Sequence, residues 1–445
     1  MSLKWNLLDD AVAQFKEFQS QLSVEKLKSR PFFPPSIRSP QGGHMDCGES
    51  CENTLRLLVP ELICTQNWRR KVRENHVFEE LLNTFGEVIF NADEISWTSE
   101  SFVSAVISNI EAKLTRHTVI IPCHLSYSEK AEEYLELLNV ELFNKYYFKK
   151  HIATKENVEN KENDYYKQLM SNALEHYKKF GWFISVKTES VYDSDMAVEL
   201  AEYVAKSLVN LFKLIIPSSH NDKISSGFDL TAEFKEYTLL SSGSNLSFTY
   251  SSSSEANVGL PDPLLSLFDN PETQKLLDII SVSINGYLEL HNEYPVISRV
   301  LDALGWLGDA VSEKSYTSMI VKYITALERL LLFGEESGLK VIISKRSATL
   351  LVMHNMISIN DFEKYQQTIG KAYKMRSEIL HGQISPSAIS FEIPIYEISE
   401  IVSKVIISFM YSVEPGLELR DDSTMQDWLK SKVIWIEKEY KAVEV

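Results

Sequence analysis

A chain of 445 residues with 44% hydrophobic and 24% charged residues is long enough for two or three domains with a full core, and too apolar for a disordered tail. Its net charge of −17 excludes a protein that coats nucleic acid non-specifically, since the mean field repels phosphate and any contact must be local. Four cysteines (Cys47, Cys51, Cys64, Cys123) exclude a secreted disulfide framework in so long a chain.

In chain order, the amphipathic pattern of Met1 to Leu22, with Asp9, Asp10 and Glu17, predicts a helix from about 5 to 22 and not a targeting segment. Helical periodicity returns at about 50–84, 98–115, 127–150, 163–180 and 194–214, and β-type runs fall at Glu87 to Phe90, Thr118 to Cys123 and Trp182 to Thr188. Lys155 to Asp164, alternating Lys, Glu and Asn, predicts a mobile loop. Gly227 to Tyr250 carries β-type residues, and Ser251 to Pro263 (SSSSEANVGLPDP) is turn-rich. Residues 1–262 therefore read as a mixed α/β regulatory or sensor region, divisible into two subdomains, with a Ser-rich linker at 251–262. His44, Cys47, Cys51 and Cys64 include zinc-ligand types, but the paired C-x2-C spacing is missing, so no metal is expected.

Beyond Pro271 the pattern is helical, at about 272–291, 296–312, 315–333, 339–353, 359–381, 396–413 and 424–440, with Gly338, Gly382 and Pro415 as stops. The fold class is α+β overall: a mixed α/β N-terminal region followed by an all-α helical bundle over 263–445. The longest apolar stretches, Leu208 to Pro217 and Ile401 to Val413, are interrupted by Lys213 and Lys404 and are too short to span a bilayer. A cytoplasmic location with no membrane contact is expected.

One residue breaks the pattern of its helix. Phe362, Tyr365, Ile369, Ala372, Tyr373 and Leu380 follow a helical period, and Arg376 falls in the middle of their stripe. A cation there must be paired or must wait for an anion, and phosphate fits its forked donors best. His381 follows five residues later and Gly382 ends the segment. The spacing alone is weak: with 12 Arg and 10 His, about one such pair arises by chance. Arg38 with His44, and Arg69 or Arg70 with His76, are decoys without a comparable stripe. The window Lys340 to Gly382 holds seven cations against three acids, so it is +4 and the remainder −21.

Tyr373-Lys-Met-Arg376-Ser-Glu-Ile-Leu-His381-Gly382, with Ala326-Leu-Glu328-Arg-Leu-Leu-Leu332 and Lys345-Arg346-Ser-Ala-Thr-Leu-Leu351, resembles the Apea-like branch of the HEPN superfamily over roughly 300–415. The resemblance implies a helical bundle that homodimerises and, in many members, is a metal-independent endoribonuclease. It implies a role as an anti-phage defence or toxin effector, with an attached domain responding to an unknown protein or phage trigger. Ser377 stands where that family often has Asn, Asp or His.

Residue by residue, this reading makes RNA the substrate and requires no cofactor. Arg376 stabilises charge on the phosphoryl oxygens, and His381, at a helix end whose dipole favours a cation, transfers the proton. The two lie about 140° apart on one helix, which does not easily close both around one phosphate; a two-fold partner could, each copy completing the other's doublet. Ser377 and Glu328 are supporting residues: Glu328 either orients Arg376 or is a surface acid. Lys345, Arg346, Tyr373 and Lys374 are the candidate RNA contacts; solvated charge, and core for Tyr373, are their alternatives. A non-catalytic module binding RNA, a nucleotide or a protein through the same patch is the alternative function.

Overall fold

A computed structural model describes residues 7–22, 36–38, 43–90, 97–125, 131–152, 164–188, 190–216, 224–226, 234–242, 245–253, 264–288, 295–388, 390–413 and 421–443. The expected mobile loop, up to residue 163, and the linker from 254 on lie outside them. The fold is α+β, mostly helical with a small antiparallel sheet. Among the described residues no helix is long and apolar enough to cross a membrane.

The chain forms two compact units, one of residues 1–117 and 188–200, the other of 118–187 and 201–445. The first is built from α1 (Leu7–Ser20), a short β1–β2 pair (Ser36–Arg38, His44–Asp46), α2 (Glu49–Arg56), α3 (Leu58–Thr65), α4 (Glu74–Phe90) and α5 (Ser99–Glu111). Phe15 of α1 meets Phe85 of α4 edge-on, with ring centroids 6.0 Å apart, inside a core that also holds Leu55, Leu62, Leu81, Phe102 and Val106. Thr98 and Ser101 close a reciprocal capping box at the start of α5, satisfying two otherwise orphaned amides. Two expectations are corrected here. Glu87 to Phe90 is the last turn of α4, because Val88 continues the helical row of Val77, Leu81 and Phe85. The 50–84 segment is three helices: α2 and α3 meet at Leu57, and α3 and α4 are separated where Asn67 and Arg70 adopt positive φ (55° and 61°).

The second unit carries a five-stranded antiparallel sheet of order β4-β5-β6-β3-β7, with β3 Thr118–His124, β4 Tyr134–Leu137, β5 Val140–Asn144, β6 Trp182–Lys187 and β7 Ser225–Ser226. The helix expected at 127–150 is therefore largely a hairpin. Tyr134 pairs Phe143 and Leu137 pairs Val140 across a two-residue turn in which Leu138 has φ 35°. Asn144 ends β5 and accepts the Tyr146 and Tyr147 amides at 3.2 Å, starting a short helical turn, Lys145–Tyr147, that runs on as Phe148–Ile152. Helices α6 (Asp164–Tyr177) and α7 (Ser194–Ile215) flank β6, and a separate hairpin joins β8 (Phe234–Ser242) to β9 (Asn245–Ser253).

Among the described residues seven α-helices follow: α8 (Pro271–Leu288), α9 (Pro295–Val311), α10 (Tyr316–Leu331), α11 (Leu339–Met353), α12 (Phe362–Leu380), α13 (Ile395–Ser412) and α14 (Asp422–Val443). They pack as a bundle: α10 lies against α9, α12 and α13, and α11 against α12, α13 and α14. The apolar row Ile320, Tyr323, Ile324, Leu327 and Leu331 of α10 is buried throughout. The compact division does not fall at 262. Asn139 of the sheet turn bonds Asn285 of α8 at 2.6 Å, the Leu265 amide donates to Glu133, and Phe212 of α7 packs on Phe268, which ties sheet and bundle into one unit.

Candidate functional site

Helix α12 shows how a cation comes to stand on an apolar stripe. Phe362, Ile369, Ala372 and Met375 are buried, so the inward arc of the helix is apolar up to its last turn but one. Arg376 lies within that arc, but the helix leaves the bundle there: its side chain is 24% exposed, and Leu380, one turn on, is 54% exposed. Leu380 is thus corrected from core to surface, and Tyr365 and Tyr373 are only half-buried. Arg376 sits at the mouth of the core, where a guanidinium keeps partial access to solvent.

Its partner comes from α10. Arg376 Nη2 donates to Glu328 Oε2 at 2.8 Å, with the carboxylate 15% exposed. Glu328 is therefore not a plain surface acid: it is the ion-pair partner of Arg376. The Tyr373 phenol also bonds Glu328; burial, then the Glu328 charge, push its pKa up, partly offset by Arg376. Its ring centroid lies 5.9 Å from the Arg376 guanidinium carbon. Arg376, Glu328 and Tyr373 therefore form one cluster. Within it the Arg376 Nε–H is buried and has no hydrogen-bond partner, an omission that costs about 1–3 kcal/mol and that an arriving anionic oxygen would remedy.

His381 closes the same helix and is exposed. Its amide bonds the Ser377 carbonyl at 3.0 Å, Gly382 N bonds Ile379 O at 3.1 Å and Gln383 N bonds Glu378 O at 2.8 Å. With Gly382 at φ 72°, this pairing is a Schellman stop that presents the imidazole just past the last turn. Nothing lies within 4 Å of a Cβ built on Gly382, so Gly382→Ala meets only backbone strain. The expected loss is about 1–2 kcal/mol, read by urea denaturation, with faster amide exchange confined to the end of α12. Ser377 is half-buried, and its carbonyl serves the helix end.

The four expected RNA contacts separate. Lys374 is exposed beside Glu378 at 3.3 Å, and Tyr373 belongs to the arginine cluster. Lys345 turns to α14, where Nζ meets Glu437 at 2.6 Å. Arg346 is corrected outright: it is buried, donates to the Leu331 carbonyl and bonds Glu335 Oε1 at 2.6 Å. A guanidinium so enclosed holds the α10–α11 connection and is not open to phosphate.

Glu335 was not singled out in the sequence, where it is one of two adjacent acids in a Gly-flanked loop. It accepts from Gln426 Nε2 at 2.8 Å and from the Phe333 amide at 2.5 Å. Burial pushes its carboxyl up, but the bonds from Gln426, the Phe333 amide and Arg346 outweigh this and hold it at about 2, against an ordinary 4.5. A depressed folded value adds stability that is complete above the ordinary value and is lost as pH falls toward the folded one. Between pH 4.5 and about 2, urea midpoints should therefore fall more steeply for the wild type than for Glu335→Gln.

Among the described residues no three His, Cys, Asp or Glu side chains converge as a metal site. Cys47 and Cys51 are buried, Cys64 is exposed, and His44 Nδ1 meets Ser36 Oγ at 3.2 Å. Comparison of the chain with protein-family models, curated proteins and solved structures returned no match. The functional reading therefore rests on the geometry of α10 and α12.

Proposed function

We propose that this protein is a metal-independent endoribonuclease of HEPN type, acting in a cleft formed where two copies bring their α12 helices together. The observation that carries this reading is the Arg376 guanidinium at the core mouth, oriented by Glu328 with one donor unfilled, on the helix whose end presents His381. In the reaction, an RNA 2′-hydroxyl attacks the adjacent phosphate. The O–P bond forms, the 5′-oxygen leaves, and a 2′,3′-cyclic phosphate remains. His381 moves the proton and Arg376 holds the charge that builds on the phosphoryl oxygens. DNA lacks the attacking hydroxyl and survives. The first 262 residues take the regulatory or sensing role, answering a protein or phage trigger in a defence or toxin setting.

One observation favours a second reading. Within a single chain Arg376 already has Glu328 as its anion, as a non-catalytic module that docks RNA, a nucleotide or a protein would also have. Incubating the protein with labelled RNA in excess chelator separates the two. Cleavage leaving cyclic-phosphate ends, with DNA intact, is the expected result. Intact RNA from a protein whose solution mass is that of a dimer would leave only the binding module.

A further inference from the structure

A second surface in the same unit carries a different chemistry, at the end of the sheet where β5 runs into the 145–152 turn. The register places Tyr134, Phe143, Phe183 and Pro122 in one row on one face. Phe148 stacks on Phe183 at 4.3 Å, and both pack with Phe143 and Phe180 into a buried aromatic layer. Outside that layer is a three-ring stack. Tyr147 has Tyr134 stacked at 4.7 Å and His151 tilted at 4.4 Å, so Tyr134 and His151 are its ends. Tyr134 is 37% exposed and the His151 side chain 40%. Fully buried rings serve packing; rings at the exposed ends of a stack keep a π-face that another ring can continue.

Lysines flank the His151 end, while at the other end the Tyr134 hydroxyl donates to Glu141 at 3.1 Å. Lys149, Lys150 and His151 lie consecutively on the Phe148–Ile152 segment, a π-helical turn, a rare form that is frequent at functional sites. The end of α6 adds Lys178 and Lys179 close by, since the Lys145 amide donates to the Gly181 carbonyl at 2.8 Å and Phe148 stacks on Tyr177. Glu132 holds Lys150 at 2.7 Å and His151 at 2.9 Å, and Glu175 holds Lys178. Among the described residues Lys149 and Lys179 have no carboxylate partner and are exposed. In a chain of net charge −17, Lys145, Lys149, Lys150, Lys178 and Lys179 stand here against Glu132 and Glu175, while Glu141 is taken up by Lys187 and the Tyr134 hydroxyl. Flat rings beside point cations match what a single strand of nucleic acid presents, bases and phosphates alternating.

We infer that this sheet end is a nucleic-acid contact separate from the α12 site, taking a single strand with a base stacked on Tyr134 or His151 and phosphates on Lys149, Lys150 and Lys179. Glu132 is its internal competitor, occupying two donors until a phosphate replaces it. The surface goes beyond the ribonuclease reading and does not depend on it, because binding requires no cleavage.

The test is equilibrium binding of labelled oligouridylate and oligothymidylate, followed by fluorescence anisotropy in the full-length His381→Ala protein so that the RNA stays whole. Tyr134→Ala should weaken binding by about 5- to 150-fold, the loss of one stacked base, while Tyr134→Phe keeps the ring and the affinity. Lys149→Ala with Lys179→Ala should lower the slope of log affinity against log salt by about 1.4, and Glu132→Gln should tighten binding. No binding by the parent protein, or binding unchanged in both the tyrosine and the lysine variants, overturns the inference. So does equal loss in Tyr134→Phe and Tyr134→Ala, or labelled polyglutamate bound as tightly as oligouridylate, which would make the surface a general polyanion or acidic-protein site. Loss of cleavage by the wild-type protein bears only on the α12 site.

Discussion

Replacing His381 by alanine is expected to lower RNA cleavage by about 10²- to 10⁴-fold, the usual worth of a positioned proton-transfer group, with the urea midpoint unchanged. The fold is spared because the imidazole is exposed, and the helix end is held by backbone bonds to Ser377, Ile379 and Glu378 and by the left-handed Gly382. Arg376→Ala is expected to lose a comparable factor and some stability, since it leaves the mostly buried Glu328 carboxylate without its cation, held only by the Tyr373 phenol. Arg376→Lys keeps the ion pair but not the fork, and should recover stability without recovering the rate. Mixing the two inactive proteins gives the sharpest outcome. If a site takes its arginine from one copy and its histidine from the other, a heterodimer has one complete site. Subunit exchange should then restore about a quarter of the wild-type rate, half the molecules having half their sites. No restoration after demonstrated exchange would defeat the shared cleft, and wild-type cleavage by His381→Ala would defeat the nuclease.

The second large effect concerns stability. Arg346→Met should destabilise the chain by about 3–5 kcal/mol, because it leaves the Glu335 carboxylate partly enclosed without its cation and the Leu331 carbonyl without a donor. Adding Glu335→Gln should return part of that loss, since the pair is coupled and a neutral amide is cheaper to enclose than an unpaired charge. Urea denaturation of the two single variants and the double variant measures this. Per folded molecule, RNA affinity should stay as in the wild type. Unchanged stability with weaker RNA binding would instead restore Arg346 to the substrate surface.

These two arginines show how far residue patterns carry the argument. Both lie in a window with an excess of cations, and from the sequence Arg376 can be a phosphate ligand or a structural bridge, and Arg346 a phosphate ligand or a solvated charge. Arg346 is turned inward by Glu335, eleven residues back, and by a free carbonyl at the end of α10. Arg376 finds Glu328 forty-eight residues away on another helix. The same tension separates the elements. The seven C-terminal helices are legible because each buries one face, and that face recurs every three or four residues. The segment 134–144 is not, because Tyr134, Leu135, Leu137, Leu138 and Leu142 satisfy a helical spacing as well as an alternating one. Pairing of 140–144 with β6, about forty residues on, and of 134–137 with 140–143 settles it as strand.

The amino-acid order by itself determined the helical character beyond residue 271, the glycine stop after His381 and the oddity of a guanidinium on an apolar face. These are local properties, set within a few turns of chain by side-chain period and backbone freedom. Which acid that guanidinium meets, where α12 emerges from the core, that Arg346 is sealed, and that the sheet belongs with the bundle were decided only by tertiary structure. Each depends on which distant segments bury one another, and burial is a property of the packed whole.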